Sequence, residues 1–143
     1  TQADYARTAN TLADIPDLNG FTGVADTDYA FVLLMLYQSA ATTCGVTLTM
    51  NGPTPPAGRA PIWDSGIQVT GGPSTSAMQH KAQAAPDALH TTATVDAANA
   101  PRVARFHGAW PVGSAPGPIR PRFAAEVNGV EIKILRGSWL LIF

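Results

Sequence analysis

Tyr29-Ala30-Phe31-Val32-Leu33-Leu34-Met35-Leu36-Tyr37-Gln38 decides the fold. Its aromatic ends and unbroken apolar middle read as a strand buried on both faces. A helix is the rival reading, since Leu and Met favour helices. Length and flanks decide for the strand: the run is short, and Thr42-Thr43-Cys44-Gly45 follows almost at once. The apolar part, Ala30 to Tyr37, is too short to span a bilayer as a helix.

The same pattern of short runs and turns extends in both directions. Toward the N-terminus, residues 21–24 and 11–15 read as strands, separated by Pro16-Asp17, Asn19-Gly20 and Asp26-Thr27-Asp28. Toward the C-terminus, Val46-Thr47-Leu48-Thr49-Met50 alternates, with Val, Leu and Met on one face and the threonines on the other. The proline-rich residues 53–61 form a loop, because Pro cannot donate to a ladder. Ile62–Thr70 is a strand, residues 74–87 a polar, Ala-rich loop, and residues 88–95 a weak strand. Arg102-Val103-Ala104-Arg105-Phe106-His107-Gly108-Ala109-Trp110 alternates again. Residues 119–127, 130–135 and 138–143 follow, joined at Asn128-Gly129 and Arg136-Gly137. Asn-Gly between alternating runs signals a hairpin. Phe143 closes an apolar strand, which places the C-terminus inside the fold.

Nine or ten short strands at this spacing predict one all-β domain, a jelly-roll sandwich of antiparallel strands. Twelve prolines exclude a helix bundle. The polar residues 1–10, with Tyr5 as their large anchor, precede the first strand signal and read as an N-terminal arm; residues 11–143 form the domain. Composition adds a second point. Charged residues are only 13% of the chain, about half the usual ~25%, which suggests surface handed to neighbours.

Candidate chemistry is sparse. Net charge is −1 with no basic block, which speaks against nucleic acid as a partner. The single cysteine, Cys44, excludes an intrachain disulfide and reads as a small buried residue. No charged-then-apolar leader opens the chain. His80, His90 and His107 have no metal-ligand spacing. Asp14, Asp17, Asp26 and Asp28 lack the calcium-loop pattern and its terminal Glu, and Asp commonly caps turns. Glu126 and Glu131 flank the Asn128-Gly129 turn and read as solvent-facing rather than as a hydrolytic pair. No nucleophile elbow occurs. The expectation is no enzyme and no cofactor. The charges are segregated: every Asp lies within residues 4–96, while Arg102, Arg105, Arg120, Arg122 and Arg136 lie in the last third. Ordinary salt bridges and complementarity between subunits both fit that split.

Two segments, residues 15–53 and 102–143, carry a resemblance. The first holds Leu18-Asn19-Gly20-Phe21, Asp28-Tyr29-Ala30-Phe31, Ser39-Ala40-Ala41-Thr42-Thr43-Cys44-Gly45 and Met50-Asn51-Gly52-Pro53. The second holds Phe106-His107-Gly108-Ala109-Trp110, Ile119-Arg120-Pro121-Arg122-Phe123-Ala124-Ala125-Glu126 and Leu135-Arg136-Gly137-Ser138-Trp139-Leu140. Together they resemble small structural proteins of tailed bacteriophages, a group similar to the trimeric jelly rolls of the tumour-necrosis-factor type. Arg136 stands where that group often has Ala. The resemblance implies a virion protein without catalytic residues. One role is a homotrimeric capsid decoration, or cement, protein on the capsid exterior, bound to the major capsid protein. The other is the receptor- or glycan-binding tip of a tail fibre or head spike. No heptad stalk or attachment repeat is visible, which favours decoration. Tyr29, Tyr37, Trp110, Trp139 and Phe143 are the expected trimer-interface residues. Tyr5, Arg7 and Arg59 are the expected capsid contacts. For Trp63, Trp110 and Trp139, packing in the core or at the trimer axis outweighs sugar binding.

Overall fold

The computed structural model describes residues 1, 3–70 and 77–143. Thirteen strands, β1 to β13 in chain order, are Tyr5–Arg7, Ala13–Asp14, Thr22–Gly23, Asp28–Ser39, Val46–Asn51, Ile62–Thr70, Ala77–Gln83, His90–Thr91, Arg102–Pro111, Gly117–Pro118, Arg120–Ala125, Ile132–Ile134 and Trp139–Ile142. A 3-10 turn at Pro16–Leu18 is the one helical element among the described residues. The large sheet has the order β1-β12-β4-β9-β6-β7, with β13 also on β4; the small sheet runs β2-β11-β5-β8, and β10 pairs β3. The architecture is an all-β sandwich with antiparallel pairing in both sheets.

The run that decided the fold is the centre of the large sheet. β4 pairs β9 along residues 28–37 and carries β12 and β13 on its other side. Phe31, Leu33, Met35 and Tyr37 point inward and are at most 1% exposed. They share one core with Val46, Leu48 and Met50 of β5 and Phe123 of β11. Burying each such side chain stabilises the fold by about 1.5–3 kcal/mol. Trp63 of β6 and Trp110 of β9 stack in that core, with centroids 5.8 Å apart. The Trp110 Nε1–H donates to the Pro53 carbonyl at 3.0 Å.

The structure corrects the sequence reading at several places. β4 is not buried on both faces: Val32, Leu34 and Leu36, on its outer side, are only partly covered. Residues 77–83 form strand β7 rather than a loop; the earlier part of the expected loop, residues 74–76, lies outside the described residues. β7 is an edge strand held by its backbone ladder to β6. Its polar sequence, Ala-Met-Gln-His-Lys-Ala-Gln, suits an edge and hides the strand from a search for apolar alternation.

Neither C-terminal turn makes a hairpin. Both are tight turns with glycine in the left-handed region, Gly129 and Gly137 at φ 90°. The first carries the chain from the small sheet, where β11 pairs β2 and β5, to the large one, where β12 pairs β1 and β4. The second interrupts a path along β4: Ile134 lies opposite Tyr37 and Trp139 opposite Leu34, so residues 135–138 sit against Met35 and Leu36. The buried Ser138 hydroxyl repairs the broken ladder. Its Oγ accepts from the Leu36 N–H at 2.9 Å and donates to the Leu135 carbonyl at 2.8 Å.

Residues 1–10 do not stand apart as an arm. Tyr5, Ala6 and Arg7 pair Ile134, Lys133 and Ile132, adding an edge strand to their own sheet. The Thr1 hydroxyl donates to the Leu135 carbonyl at 2.8 Å, and the Ala9 carbonyl accepts from the Ala125 N–H at 3.0 Å.

Candidate interaction surface

Alternation along β4 puts every second side chain outside the sandwich, and strand register lines these up across the large sheet. One row runs Trp139, Leu34, Arg105 and Gly66; the next runs Leu141, Val32, His107 and Asp64. A third begins at Phe143, which exchanges backbone hydrogen bonds with Ala30 at 2.9 and 3.0 Å, and continues through Ala109 to Ile62. Trp139 is 43% exposed, Leu141 53%, Phe143 66% and Ile62 65%. Together these four leave on the order of 400 Å² of apolar surface in water, the size of the largest patch on a typical monomer. Between Trp139 on one side and Arg105 and His107 on the other, the floor of Val32 and Leu34 forms an apolar groove of about 600 Å³.

Of the expected interface residues, Trp139 and Phe143 lie on this face. The other three belong to the interior of the protomer. Trp110 and Tyr37 are fully buried and have no surface to offer a partner. The Tyr37 hydroxyl donates to the Gln68 carbonyl at 2.5 Å, and burial pushes its pKa up to about 12. Tyr29 is half-buried on the core side of β4; its hydroxyl accepts from the Val24 N–H at 3.0 Å and its ring meets Phe21 edge-on. The expected capsid contacts all have partners within the chain. The Tyr5 hydroxyl bonds Asp17, which holds its pKa above the ordinary value. Arg7 donates to the Thr11 carbonyl and hydroxyl, both at 2.7 Å, and Arg59 pairs Asp28 at 2.6 Å.

Sequence reasoning missed Val32, Leu34, Leu36 and Leu141 because it assigned the whole run to the core. The unbroken apolar run carries no alternation that would separate its two faces, and the pairing of its even-numbered positions with Trp139 and Leu141 follows only once the 135–138 turn is known. The arginines divide as well. Arg102 pairs Asp96, Arg120 pairs Asp14 at 2.8 Å, and Arg122 lies 3.1 Å from Asp14 and 3.0 Å from Asp87. These join the acidic and basic parts of the sequence inside one protomer. Arg105 and Arg136 have no ion-pair partner among the described residues.

One pair resembles a catalytic dyad. Ser65 Oγ lies 2.7 Å from His90 Nδ1, but both residues are buried. Ser65 donates its proton to the Lys81 carbonyl at 2.9 Å, so the His90 Nδ1–H donates to Ser65. A hydroxyl held this way is not poised as a nucleophile; the pair ties β8 of the small sheet to β6 of the large one. Burial lowers the His90 pKa, with Lys81 and His80 adding to the effect and Asp64 opposing it. The aspartates considered for calcium point to separate partners: Asp14 to Arg120, Asp17 to Tyr5 and Asp28 to Arg59. Among the described residues no three His, Cys, Asp or Glu side chains gather to hold a metal, and no helix is long and apolar enough to cross a membrane.

The chain matches no protein-family model, and neither curated proteins nor solved structures provide a match. Its site is therefore defined by its own geometry, an apolar sheet face whose strand sequence is suited to burial on both sides.

Proposed function

We propose that this protein is a structural assembly subunit whose large-sheet outer face is buried against other copies of itself. Its role in this reading is capsid decoration: a homotrimer on the exterior of a tailed-bacteriophage capsid, clamping neighbouring major capsid subunits. One observation carries the self-association. β4 has the composition of a strand buried on both faces, and the protomer buries one of them fully and the other only in part. The low charge fraction fits surface shared with neighbours. The jelly-roll trimer and the place on the virion rest on the sequence resemblance.

The alternative, a receptor- or glycan-binding tip, draws less support from the surface. Trp63 and Trp110 are buried. Trp139 is exposed and faces Arg105 and His107 across the groove, but its immediate neighbours, Leu34 and Leu141, are apolar. Localisation by cryo-electron microscopy of the particle that carries this chain tests the role. Density for the sandwich over the capsid lattice is the expected result. Density confined to a tail or spike tip would overturn decoration in favour of the alternative.

A further inference from the structure

The joint between copies is asymmetric. We propose that Phe143 of one copy seats in the groove of the next, between Trp139 and the Arg105–His107 wall, over Val32 and Leu34. This rests on the self-association reading and adds which surfaces meet.

Phe143 is the most exposed large apolar side chain among the described residues, at 66%. It cannot fill the groove of its own chain. Two backbone hydrogen bonds to Ala30 fix it at the row of Ala109 and Ile62, with Leu141 between it and Trp139 along the strand. A ring of this type suits the groove chemically. Its floor is aliphatic, one wall is the Trp139 indole, and the other presents the Arg105 guanidinium, which has no ion-pair partner among the described residues. Aromatic rings pair favourably with both.

Charge agrees with this occupant. The turn that leads into β4, just ahead of Phe143's pairing partner Ala30, carries Asp26 and Asp28. Asp28 is paired with Arg59, while Asp26 has no ion-pair partner among the described residues. Among the described residues, the arriving edge therefore brings one unpaired acid, Asp26, and the receiving groove one unpaired base, Arg105. In a head-to-tail joint the patch is shared between two contacts: the Phe143–Ile62 side goes to one neighbour and the Trp139–Leu141 side to the other, each on the order of 200 Å² of apolar surface, with the rest of a standard interface of roughly 800 Å² per partner supplied by a polar rim. Within the trimer proposed above, a knob on one part of the face and a groove on another meet head to tail, and the ring closes on itself.

The test uses two variants and their mixture, with mass read by light scattering and folding checked by circular dichroism. Phe143→Asp removes the knob and keeps the groove. Val32→Trp fills the groove with a strand-favouring residue and keeps the knob. Each alone is expected to raise the dissociation constant at least about thirtyfold, the size of a hot-spot truncation. Mixed in equal amounts, they form a one-to-one pair, because one intact knob still meets one intact groove. If Val32→Trp does not fold, Arg105→Glu at its exposed position takes its place. A folded Phe143→Asp variant that associates like the wild type, or a mixture that gives no pair, overturns the asymmetric joint and leaves self-association standing. A monomeric wild type overturns self-association itself, and the joint with it.

Discussion

The outer faces of the two sheets meet opposite fates. On the small sheet, β5 turns Thr47, Thr49 and Asn51 away from the core, and the chain covers them with its own residues. Thr49 Oγ1 donates to the Ala88 carbonyl at 2.8 Å, Thr47 and Thr91 hydroxyls meet at 3.0 Å, and Asn51 donates to Asp87 at 2.7 Å. Arg122 reaches the same Asp87. On the large sheet, β4 and β13 turn out Val32, Leu34, Trp139 and Leu141; the first two are only partly covered, and Trp139 and Leu141 are about half exposed. A polar face can be closed by a few directed hydrogen bonds from a passing loop, because each bond satisfies a specific group. An apolar face needs contiguous area, which a short loop does not supply but a second sheet does. The small sheet is complete within the protomer; in the reading proposed above, the large sheet is completed by association.

That contrast can be broken at several strengths. The largest effect is expected where both sheets rest on the same core. Trp110→Ala removes the ring stacked on Trp63 and costs about 3–5 kcal/mol of folding stability; chemical denaturation measures it, and a loss below about 1 kcal/mol would contradict the core assignment. Next comes Leu141→Ser on the large face. Association is expected to weaken at least tenfold, about 1.4 kcal/mol, while protomer stability, measured below the dissociation constant, changes by no more than about 0.5 kcal/mol. Equal losses in both measurements would make Leu141 a core residue of the protomer. Thr49→Val on the small face should do the reverse. It leaves the Ala88 carbonyl unpaired in a part-buried place and costs about 1 kcal/mol of stability, with the oligomer's mass unchanged after correction for the folded fraction. The smallest effect concerns the tie between the sheets. His90 is held neutral in the fold, its pKa below the ordinary 6.5. The unfolded chain therefore takes up the proton first, and stability present above that value is lost as pH falls below it, by at most about 1.4 kcal/mol per pH unit. Replacing His90 by Gln should flatten the slope of unfolding free energy in this window; an unchanged slope would place its origin elsewhere.

The sequence made the fold class legible because period-two runs and turn residues are local signals. β5, β6 and β9 follow directly from them. What escaped depends on partners distant along the chain. β7 carries no apolar alternation and exists because β6 offers it a ladder. The turns at Asn128-Gly129 and Arg136-Gly137 are real, yet local residues do not say whether the chain folds back on itself, changes sheet or rejoins the same neighbour. The candidate surface escaped for a related reason. Composition marks β4 as covered on both sides, whether the cover comes from its own chain or from another. Trp139 and Phe143, picked from their place in the last strand, lie exposed on the outer face. Tyr37 and Trp110 could not be separated from them, because which face of a strand meets the second sheet is set by the strand's place in the sandwich, which its local residues do not show.

The most direct test of the central claim uses the molecule's own fluorescence. Trp63 and Trp110 are sealed in the core, at 1% and 0% exposure, so a polar quencher such as iodide reports on Trp139. Quenching is measured from concentrations well above the dissociation constant to well below it. If the large-sheet face is buried between copies, emission is protected at high concentration, and a quenchable fraction appears on dilution in step with the fall in mass. Trp139 that is equally quenchable across the whole range, while the oligomer forms and dissociates, would contradict the account.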